Sequence, residues 1–329
     1  MSCKKLPAQN SKQNGIKLMR DSPGPLHRPK TVLALQGGGA HGAFTWGALD
    51  RLLEDGLVFD AVTGVSSGAM IATMAVQGMV SGGSVGARAA IARLWTMVMD
   101  GNVLNNFPTS PMAWMFEATR SLSNDFAWSG ITQALRLFDP ALLNPLGQNP
   151  LEPLLRLLLN EKLLRAPEAP RLYVGATDVE TGDAMVFGNE EIDVPVLLAS
   201  ACLPMMFPTI RIKGRSYWDG GYSCNPPLAP ILTPRPDQLI LIRAQPRRRS
   251  DIPTTTADIV HRLHEIAFQA PLTAELSMLP EEINVLDISA DEALAHHPLN
   301  SKLNTDRAFL EGLFEAGRKA AAGLLKRAE

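Results

Sequence analysis

Cysteine is scarce in this chain, and long hydrophobic runs are absent. The three cysteines, Cys3, Cys202 and Cys224, show no Cys-x-x-Cys spacing, which argues against a disulfide framework or a zinc site and favours a reducing compartment. The longest apolar stretches, such as residues 69–80, are shorter than the about 20 residues that cross a bilayer. The polar, basic N-terminus lacks the apolar core of a signal peptide. We therefore expect a cytoplasmic protein whose contact with a membrane is at most peripheral.

An excess of positive charge is absent as well. The formal net charge is -2 over 329 residues, whereas proteins that bind nucleic acid usually present a strongly basic face, so we expect no nucleic-acid partner. Apolar residues make up 46% of the chain, which is enough for a large buried core. Residues 1–30 are polar without an apolar period and predict a disordered leader. Residues 31–329 are then expected to form one domain.

The sequence Gly-Val-Ser-Ser-Gly at residues 64–68 has the Gly-x-Ser-x-Gly pattern of a nucleophile elbow. The preceding residues predict a short buried strand and the following ones a helix, so the chain must turn sharply at Ser66 and hold its hydroxyl outward. Gly64 and Gly68 remove the side chains that would clash in such a turn. A serine that only caps the next helix remains an alternative. A second match, centred on Ser84, follows a helix in a Ser/Gly-rich loop, and we interpret it as a linker.

Three consecutive glycines, residues 37–39, follow a predicted strand and precede a predicted helix. Their backbone N–H groups, at a helix N-terminus, would stabilise a developing oxyanion beside Ser66 if neighbouring strands bring both turns to one edge of the sheet. With Gly42 the turn also matches the dinucleotide fingerprint Gly-x-Gly-x-x-Gly, which needs an acidic residue at the end of the second strand. The nearby acid, Asp60, lies at the start of its strand, which disfavours that interpretation. A third interpretation, that the glycine turn only permits close packing of the backbone, also remains open.

Asp219 follows a predicted strand pair, residues 210–212 and 216–218, and precedes two glycines. Asp-Gly is a common turn dipeptide, so a structural turn is one interpretation. A serine nucleophile, however, needs a base within hydrogen-bonding reach, and a carboxylate at a strand end with glycines beside it meets that need. Because a carboxylate is a weak base, we expect this site to be dry enough to raise the pKa of Asp219 towards neutrality.

The remaining pattern indicates an α/β fold, because strands alternate with helices along most of the chain. Residues 100–150 mix proline, tryptophan, methionine and phenylalanine without a clear period, and this insertion is either a cap, a membrane-facing surface or ordinary core under long loops. The region from about residue 255 is expected to be helical. Further predicted strands are 31–35, 171–177, 184–187 and 239–243, with an edge strand at 284–288, and further predicted helices are 43–54, 88–99, 151–164, 195–201, 259–276 and 306–326.

Four blocks in this order resemble those of the patatin-like phospholipases, and the match extends over residues 31–241. The blocks are Gly-Gly-Gly-Ala-His-Gly at 37–42, Gly-Val-Ser-Ser-Gly at 64–68, Ala-Ser-Ala-Cys-Leu-Pro at 199–204 and Asp-Gly-Gly at 219–221. The resemblance implies a three-layer α/β/α fold with a mainly parallel central sheet. It also implies a lipid acyl hydrolase that acts on a phospholipid or another fatty-acyl ester and needs no metal or organic cofactor.

The same resemblance implies a role for each motif residue. Ser66 would be the nucleophile and Asp219 its base, in a Ser-Asp dyad that replaces the usual triad. The oxyanion hole would be formed by Gly37, Gly38 and Gly39. The glycines that accompany the dyad in its two motifs are Gly64, Gly68, Gly220 and Gly221. One position departs from the pattern, because the family commonly carries Arg or Lys where this chain has His41.

Two other functions remain open from the sequence. A Ser-His-Asp esterase or lipase would follow the chain order Ser, Asp, His and would recruit His296 or His297. A non-catalytic lipid-binding protein would keep the fold without the reaction. The sequence does not distinguish between phospholipids and neutral glycerides as substrates, because this choice depends on the shape of the pocket.

Overall fold

The computed structural model describes residues 28–101 and 149–326, except for 205, 249–251, 255, 296 and 298. The predicted leader therefore lies outside the described residues apart from 28–30, and so does nearly all of the predicted insertion at 100–150. The strands are β1 (Thr31–Leu35), β2 (Ala61–Gly64), β3 (Arg171–Asp178), β4 (Ala184–Gly188), β5 (Ile210–Ile212), β6 (Arg215–Asp219), β7 (Gln238–Arg243) and β8 (Asn284–Ser289). The α-helices are α1 (Gly42–Glu54), α2 (Ser67–Met99), α3 (Leu151–Leu158), α4 (Glu161–Leu164), α5 (Val194–Ser200), α6 (Thr256–Ser277) and α7 (Arg307–Lys326).

The strands form one sheet in the order β5-β6-β3-β2-β1-β7-β8, with β4 paired to β3. The pairs β3-β2, β2-β1, β1-β7 and β7-β8 are parallel. The pairs β3-β4, β3-β6 and β5-β6 are antiparallel. The mainly parallel sheet is thus confirmed, and β8 is the edge strand that the sequence predicts. Because β1 and β2 are parallel neighbours, the turns that follow them meet at one edge of the sheet.

Each face of the sheet has its own apolar cluster. Leu33 and Leu35 point to the face that is covered by α1, α2 and α7, while Val32 and Ala34 point to the opposite face and pack with Leu272 of α6. Successive side chains of a strand alternate between faces, so β1 contributes to both layers, as expected for a strand buried on both sides. The fold is therefore a three-layer α/β/α arrangement.

The helix that follows Ser66 differs from the prediction of two helices joined by a loop. It runs from Ser67 to Met99 with a break at Gly82 and Gly83, and Gly83 has a φ of 60°. The chain folds back at this break, because a Cβ on Gly78 would lie 2.5 Å from the backbone O of Gly86. Small residues permit this close approach, so a two-glycine turn replaces the longer predicted loop. Ser84 lies directly after the turn and away from the nucleophile elbow.

The predicted helix over 151–164 is divided into α3 and α4. Gln77 of α2 explains the division, since its side chain binds the backbone on both sides of the break. Its Nε2 donates to the Leu158 carbonyl at 2.9 Å, and its Oε1 accepts from the Asn160 N–H at 3.0 Å. These bonds satisfy backbone groups that would otherwise lose their partners at the end of α3.

The C-terminal helix α7 is fixed against α1 by close backbone contact. A Cβ on Gly47 would clash with the Phe314 carbonyl, and one on Gly317 would clash with the Phe44 carbonyl. An ion pair between Arg318 and the buried Asp50 joins the same helices. The segment Leu299–Leu303, which precedes α7, is held in contact with the turn that follows β1. None of the helices in the described ranges has the length and apolar character needed to span a bilayer.

Candidate active site

Ser66 stands on a strained turn between β2 and α2. Its φ of 55° and ψ of -127° are rare for a residue with a side chain, and such strain persists only where the surrounding structure enforces it. The glycines of the motif make room for the turn, because a Cβ on Gly64 would lie 2.5 Å from the Gly68 carbonyl and one on Gly68 would clash with the Leu35 carbonyl. The Ser66 side chain makes no capping bond to α2, so the alternative of a simple helix cap is wrong.

The backbone N–H of Ser66 donates to the Ser200 hydroxyl at 2.9 Å. Ser200 is the last residue of α5 and is fully buried. This bond holds the elbow against the block at 199–204, which is one of the four blocks that carry the resemblance. The elbow is thus fixed by side chains from a distant part of the chain as well as by its own glycines.

The glycine turn lies directly against the elbow. A Cβ on Gly37 would be 2.9 Å from the Val65 carbonyl and 3.0 Å from the Ser66 Cβ, so only glycine fits there. The Gly37 N–H donates to Asn225 Oδ1 at 2.8 Å. The Gly38 N–H donates to the Ser67 hydroxyl at 3.2 Å.

Gly39 has a φ of 58° and lines a cavity together with Ser66. The three glycines therefore lie beside the predicted nucleophile, with the first two N–H groups bound within the protein. Asp60, the acid considered for a nucleotide site, accepts instead from the Thr31 N–H at 2.9 Å. It therefore lies at the other end of β1 from the glycine turn.

Asp219 lies at the end of β6 with 1% of its surface exposed. Its Oδ1 accepts from the Gly221 N–H at 2.8 Å, and the Ser66 side chain lies close enough to its carboxylate to influence its pKa. Burial raises the pKa of Asp219 from 3.8 to about 6, although the Gly221 N–H, the Ser66 side chain and the positive charge of Lys302 each oppose the rise. The structure thus brings the two predicted dyad residues together and places the carboxylate in a dry environment.

Both glycines after Asp219 are required by close contacts. A Cβ on Gly220 would clash with the Gly175 carbonyl of β3, and one on Gly221 would clash with the Phe268 ring of α6. These two glycines let the backbone after Asp219 pack directly on β3 and on the Phe268 ring, and this packing brings the carboxylate close to the elbow. The turn predicted from the Asp-Gly dipeptide is therefore present, and it also positions Asp219, the predicted base.

Two buried amide side chains that sequence reasoning did not assign to the site hold the glycine turn. Asn225 accepts from the Gly37 N–H, and its Nδ2 donates to the Phe268 carbonyl at 3.1 Å. Gln245 donates from Nε2 to the Gly37 carbonyl at 2.7 Å, and its backbone N–H donates to Gln36 Oε1 at 3.0 Å. No local pattern marks Gln245, whereas Asn225 follows Asp219 closely enough to belong to the same loop.

A cavity of about 170 Å³ opens beside Ser66, which is far more than the 10–15 Å³ or so that one water requires. The described residues that line it are mostly apolar and come from α2, α3, the loop after α5 and the segment before α7. Its apolar lining residues are Ala40, Met70, Leu94, Trp95, Val98, Pro150, Leu151, Leu154, Ala201, Leu203, Met206, Phe207 and Leu303. Such a lining fits a hydrocarbon chain whose carbonyl end lies at the serine.

Neither His41 nor His297 is among the described residues that line this cavity. His41 has 1% of its surface exposed, and its Nε2 lies 2.8 Å from the Ser301 hydroxyl. The His297 ring packs edge-on against Phe309, with the ring centroids 5.1 Å apart. His296 lies outside the described residues.

Comparison with known proteins bears on the family of the chain. The family model described as patatin-like phospholipase matches residues 33–232. Among solved structures, VipD from Legionella pneumophila is similar at 15% identity and a TM-score of 0.41, over 91% of this chain and 67% of that one. The type III effector ExoU is similar at 16% identity and a TM-score of 0.39, over 92% of this chain, which spans about half (53%) of that protein. Comparison with curated proteins gives no match.

Proposed function

Because the chain belongs to the patatin-like phospholipase family, we propose that it hydrolyses the fatty-acyl esters of phospholipids through an acyl-enzyme on Ser66. Asp219 is the base of this reaction. The observation that carries the proposal is the buried carboxylate of Asp219 beside the Ser66 side chain, at a cavity with an apolar lining. A serine, a base and an acyl-sized space are the three components that acyl transfer needs.

In the first step Asp219 accepts the proton of the Ser66 hydroxyl while the oxygen attacks the ester carbonyl. The raised pKa of about 6 makes Asp219 a stronger base than an exposed aspartate and still leaves it ionised at pH 7 to 8. The proton then passes from Asp219 to the leaving alcohol, and the acyl group remains on Ser66. In the second step the same carboxylate removes a proton from water, which attacks the acyl-enzyme. The bond between the acyl group and the Ser66 oxygen then breaks, Asp219 returns the proton to Ser66, and the fatty acid is released.

The oxyanion of each tetrahedral intermediate is assigned to the glycine turn at residues 37–39. Gly39 is the direct donor in this proposal, because it lines the cavity together with Ser66 and its N–H makes no hydrogen bond to another described residue. Gly37 and Gly38 fix the turn through their bonds to Asn225 and Ser67. The N-terminus of α2, which begins directly after the nucleophile, adds the favourable field of its helix dipole.

The test is fatty-acid release from phosphatidylcholine vesicles together with hydrolysis of p-nitrophenyl butyrate. We expect Ser66→Ala and Asp219→Asn each to lower kcat by about a thousandfold or more on both substrates. Ser84→Ala is the matched control, because it removes a serine from the second Gly-x-Ser-x-Gly pattern and should leave both rates unchanged.

Circular dichroism checks that each variant is folded. Full activity of folded Ser66→Ala would contradict the proposal. A His297→Ala variant tests the triad. If this variant folds and loses as much activity as Ser66→Ala, a Ser-His-Asp mechanism replaces the dyad. Activity on the short ester without release from vesicles would keep the mechanism and exclude phospholipid as the substrate.

A further inference from the structure

A lysine from outside the part of the chain that matches the family model reaches the candidate site. Lys302 belongs to the segment Leu299–Leu303 before α7, whereas the match ends at residue 232. The Lys302 carbonyl occupies the space that a side chain on Gly39 would need. The backbone of Lys302 is thus fixed against the glycine turn, and this contact places its side chain beside the predicted dyad.

The charged end of Lys302 lies on the Asp219 side of the site. Its Nζ is 5.7 Å from the centroid of the Phe268 ring, within the range of a cation–π contact. Phe268 in turn packs against Gly221, two residues after the catalytic carboxylate. Consistent with this position, the positive charge of Lys302 lowers the pKa of Asp219 against the effect of burial.

Lys302 is also distinctive among the residues that line the cavity. Within the described part of the chain, the other lining residues are apolar apart from Ser66, Ser67 and Thr305, and Lys302 is the one that carries a charge. An ammonium group at the edge of an apolar cavity interacts strongly with an anion, because little water screens it. A neutral glyceride offers no partner for this charge, whereas a phosphoester does.

We propose that Lys302 determines specificity by binding the phosphate of the substrate headgroup while the acyl chain occupies the apolar cavity. This inference rests on the proposed function and adds to it the residue that distinguishes an acyl ester with a phosphate close to the scissile carbonyl from a neutral ester. Asp219 must be ionised to act as a base, and a phosphate beside it would be repelled. The charge of Lys302 offsets this repulsion, so it permits an anionic headgroup next to an anionic base.

The test compares two soluble substrates with identical acyl chains, dihexanoylphosphatidylcholine and dihexanoylglycerol, below the concentrations at which they aggregate. They differ in the phosphate-containing headgroup, so the ratio of their kcat/KM values reports headgroup recognition without a membrane. Lys302→Met should lower this ratio about tenfold or more, as expected for the loss of a charged hydrogen bond. Lys302→Arg should restore most of it. Each ratio is measured on the pH plateau of its variant, because Lys302 also influences Asp219.

Lys319→Met is the matched control, since Lys319 is exposed on α7 and its loss changes the net charge equally. An unchanged ratio in folded Lys302→Met, or an equal drop in Lys319→Met, would overturn the proposal. The proposal would also be overturned if the wild type had equal kcat/KM values for the two substrates. This comparison uses only the wild type, so it does not depend on the stability of any variant. Inhibition of p-nitrophenyl butyrate hydrolysis by inorganic phosphate, without a headgroup preference, would indicate a free-anion site instead. Lack of activity on every ester would refute the proposed function itself.

Discussion

Replacing Asp219 by Asn should separate stability from catalysis. The substitution removes the base and at the same time removes a charge that the folded protein holds at 1% exposure. A buried carboxylate without a cation in direct contact costs folding free energy whenever it is ionised. We therefore expect Asp219→Asn to be inactive and, at alkaline pH, more stable than the wild type.

The magnitude follows from the pKa of Asp219, which burial raises from 3.8 to about 6. Between these values the folded state binds more protons than the unfolded state, so the stability of the wild type falls as pH rises. The contribution of the protonated Asp219 carboxyl to the stability of the wild type is fully present below pH 4 or so and is lost above about pH 6. The difference between the two pKa values corresponds to about 3 kcal/mol of folding free energy. Asn does not titrate, so the stability advantage of Asp219→Asn should grow by up to this amount between pH 4 and pH 8.

The assay is urea unfolding followed by the fluorescence of the five tryptophans, at pH 4 and at pH 8, with equal m-values as the criterion for comparison. Using the change between two pH values cancels the differences in packing and hydrogen bonding between Asp and Asn. Asp50→Asn is the control, because Asp50 is buried but pairs with Arg88 and Arg318. Its loss should lower the free energy of unfolding at pH 8, since it removes the buried partner of both arginines and leaves them paired with the more exposed Glu54 alone.

One result would refute this reasoning. If Asp219→Asn gained no stability relative to the wild type between pH 4 and pH 8, then burial would not be the main influence on the Asp219 carboxylate. The site would then be wetter, or more strongly neutralised, than its exposure indicates. The loss of activity in the same variant would still support Asp219 as the base, so the two measurements are independent.

Three further predictions concern the same site. The kcat/KM for p-nitrophenyl butyrate should rise about tenfold per pH unit below pH 6 and level off above it, because Asp219 must lose its proton to act; a flat profile from pH 4.5 to 8 or so would contradict this. Asn225→Ala should lower kcat about tenfold or more with little change in KM, since the glycine turn loses one of its two side-chain anchors. Asn189→Ala removes part-buried side-chain bonds to the backbone of other elements and should affect stability alone. Gly221→Ala should lower both stability and activity because its Cβ meets an aromatic ring, and Gly188→Ala, where nothing lies within 4 Å, should change neither; the melting temperatures and rates of the pair decide this.

The parts of the site that the sequence predicts are those in which one short segment requires a special backbone. Ser66 is recognisable because a strand, a glycine, a serine and a helix in succession permit few conformations, and its φ of 55° is the consequence. The parallel pairing of β1 and β2 could likewise be inferred, since both strands are followed by helices. By contrast, the sequence predicts a loop near Ser84 but not its shortening to a turn at Gly82 and Gly83, which depends on the close approach of Gly78 and Gly86.

Residues that act on the site through long-range contacts leave no such pattern. Gly37 and Asn225 are 188 residues apart in sequence, and a buried amide with two backbone partners is indistinguishable, in sequence, from any other asparagine of a loop. Lys302 is further removed, because its position depends on the docking of α7 against α1 through Gly47 and Gly317. The predicted dyad and glycine turn belong to the region that matches the family, while the charge beside them comes from the C-terminal region. Because Lys302 belongs to the segment at residues 299–303, exchanging this segment should alter headgroup preference more than it alters hydrolysis of a short neutral ester.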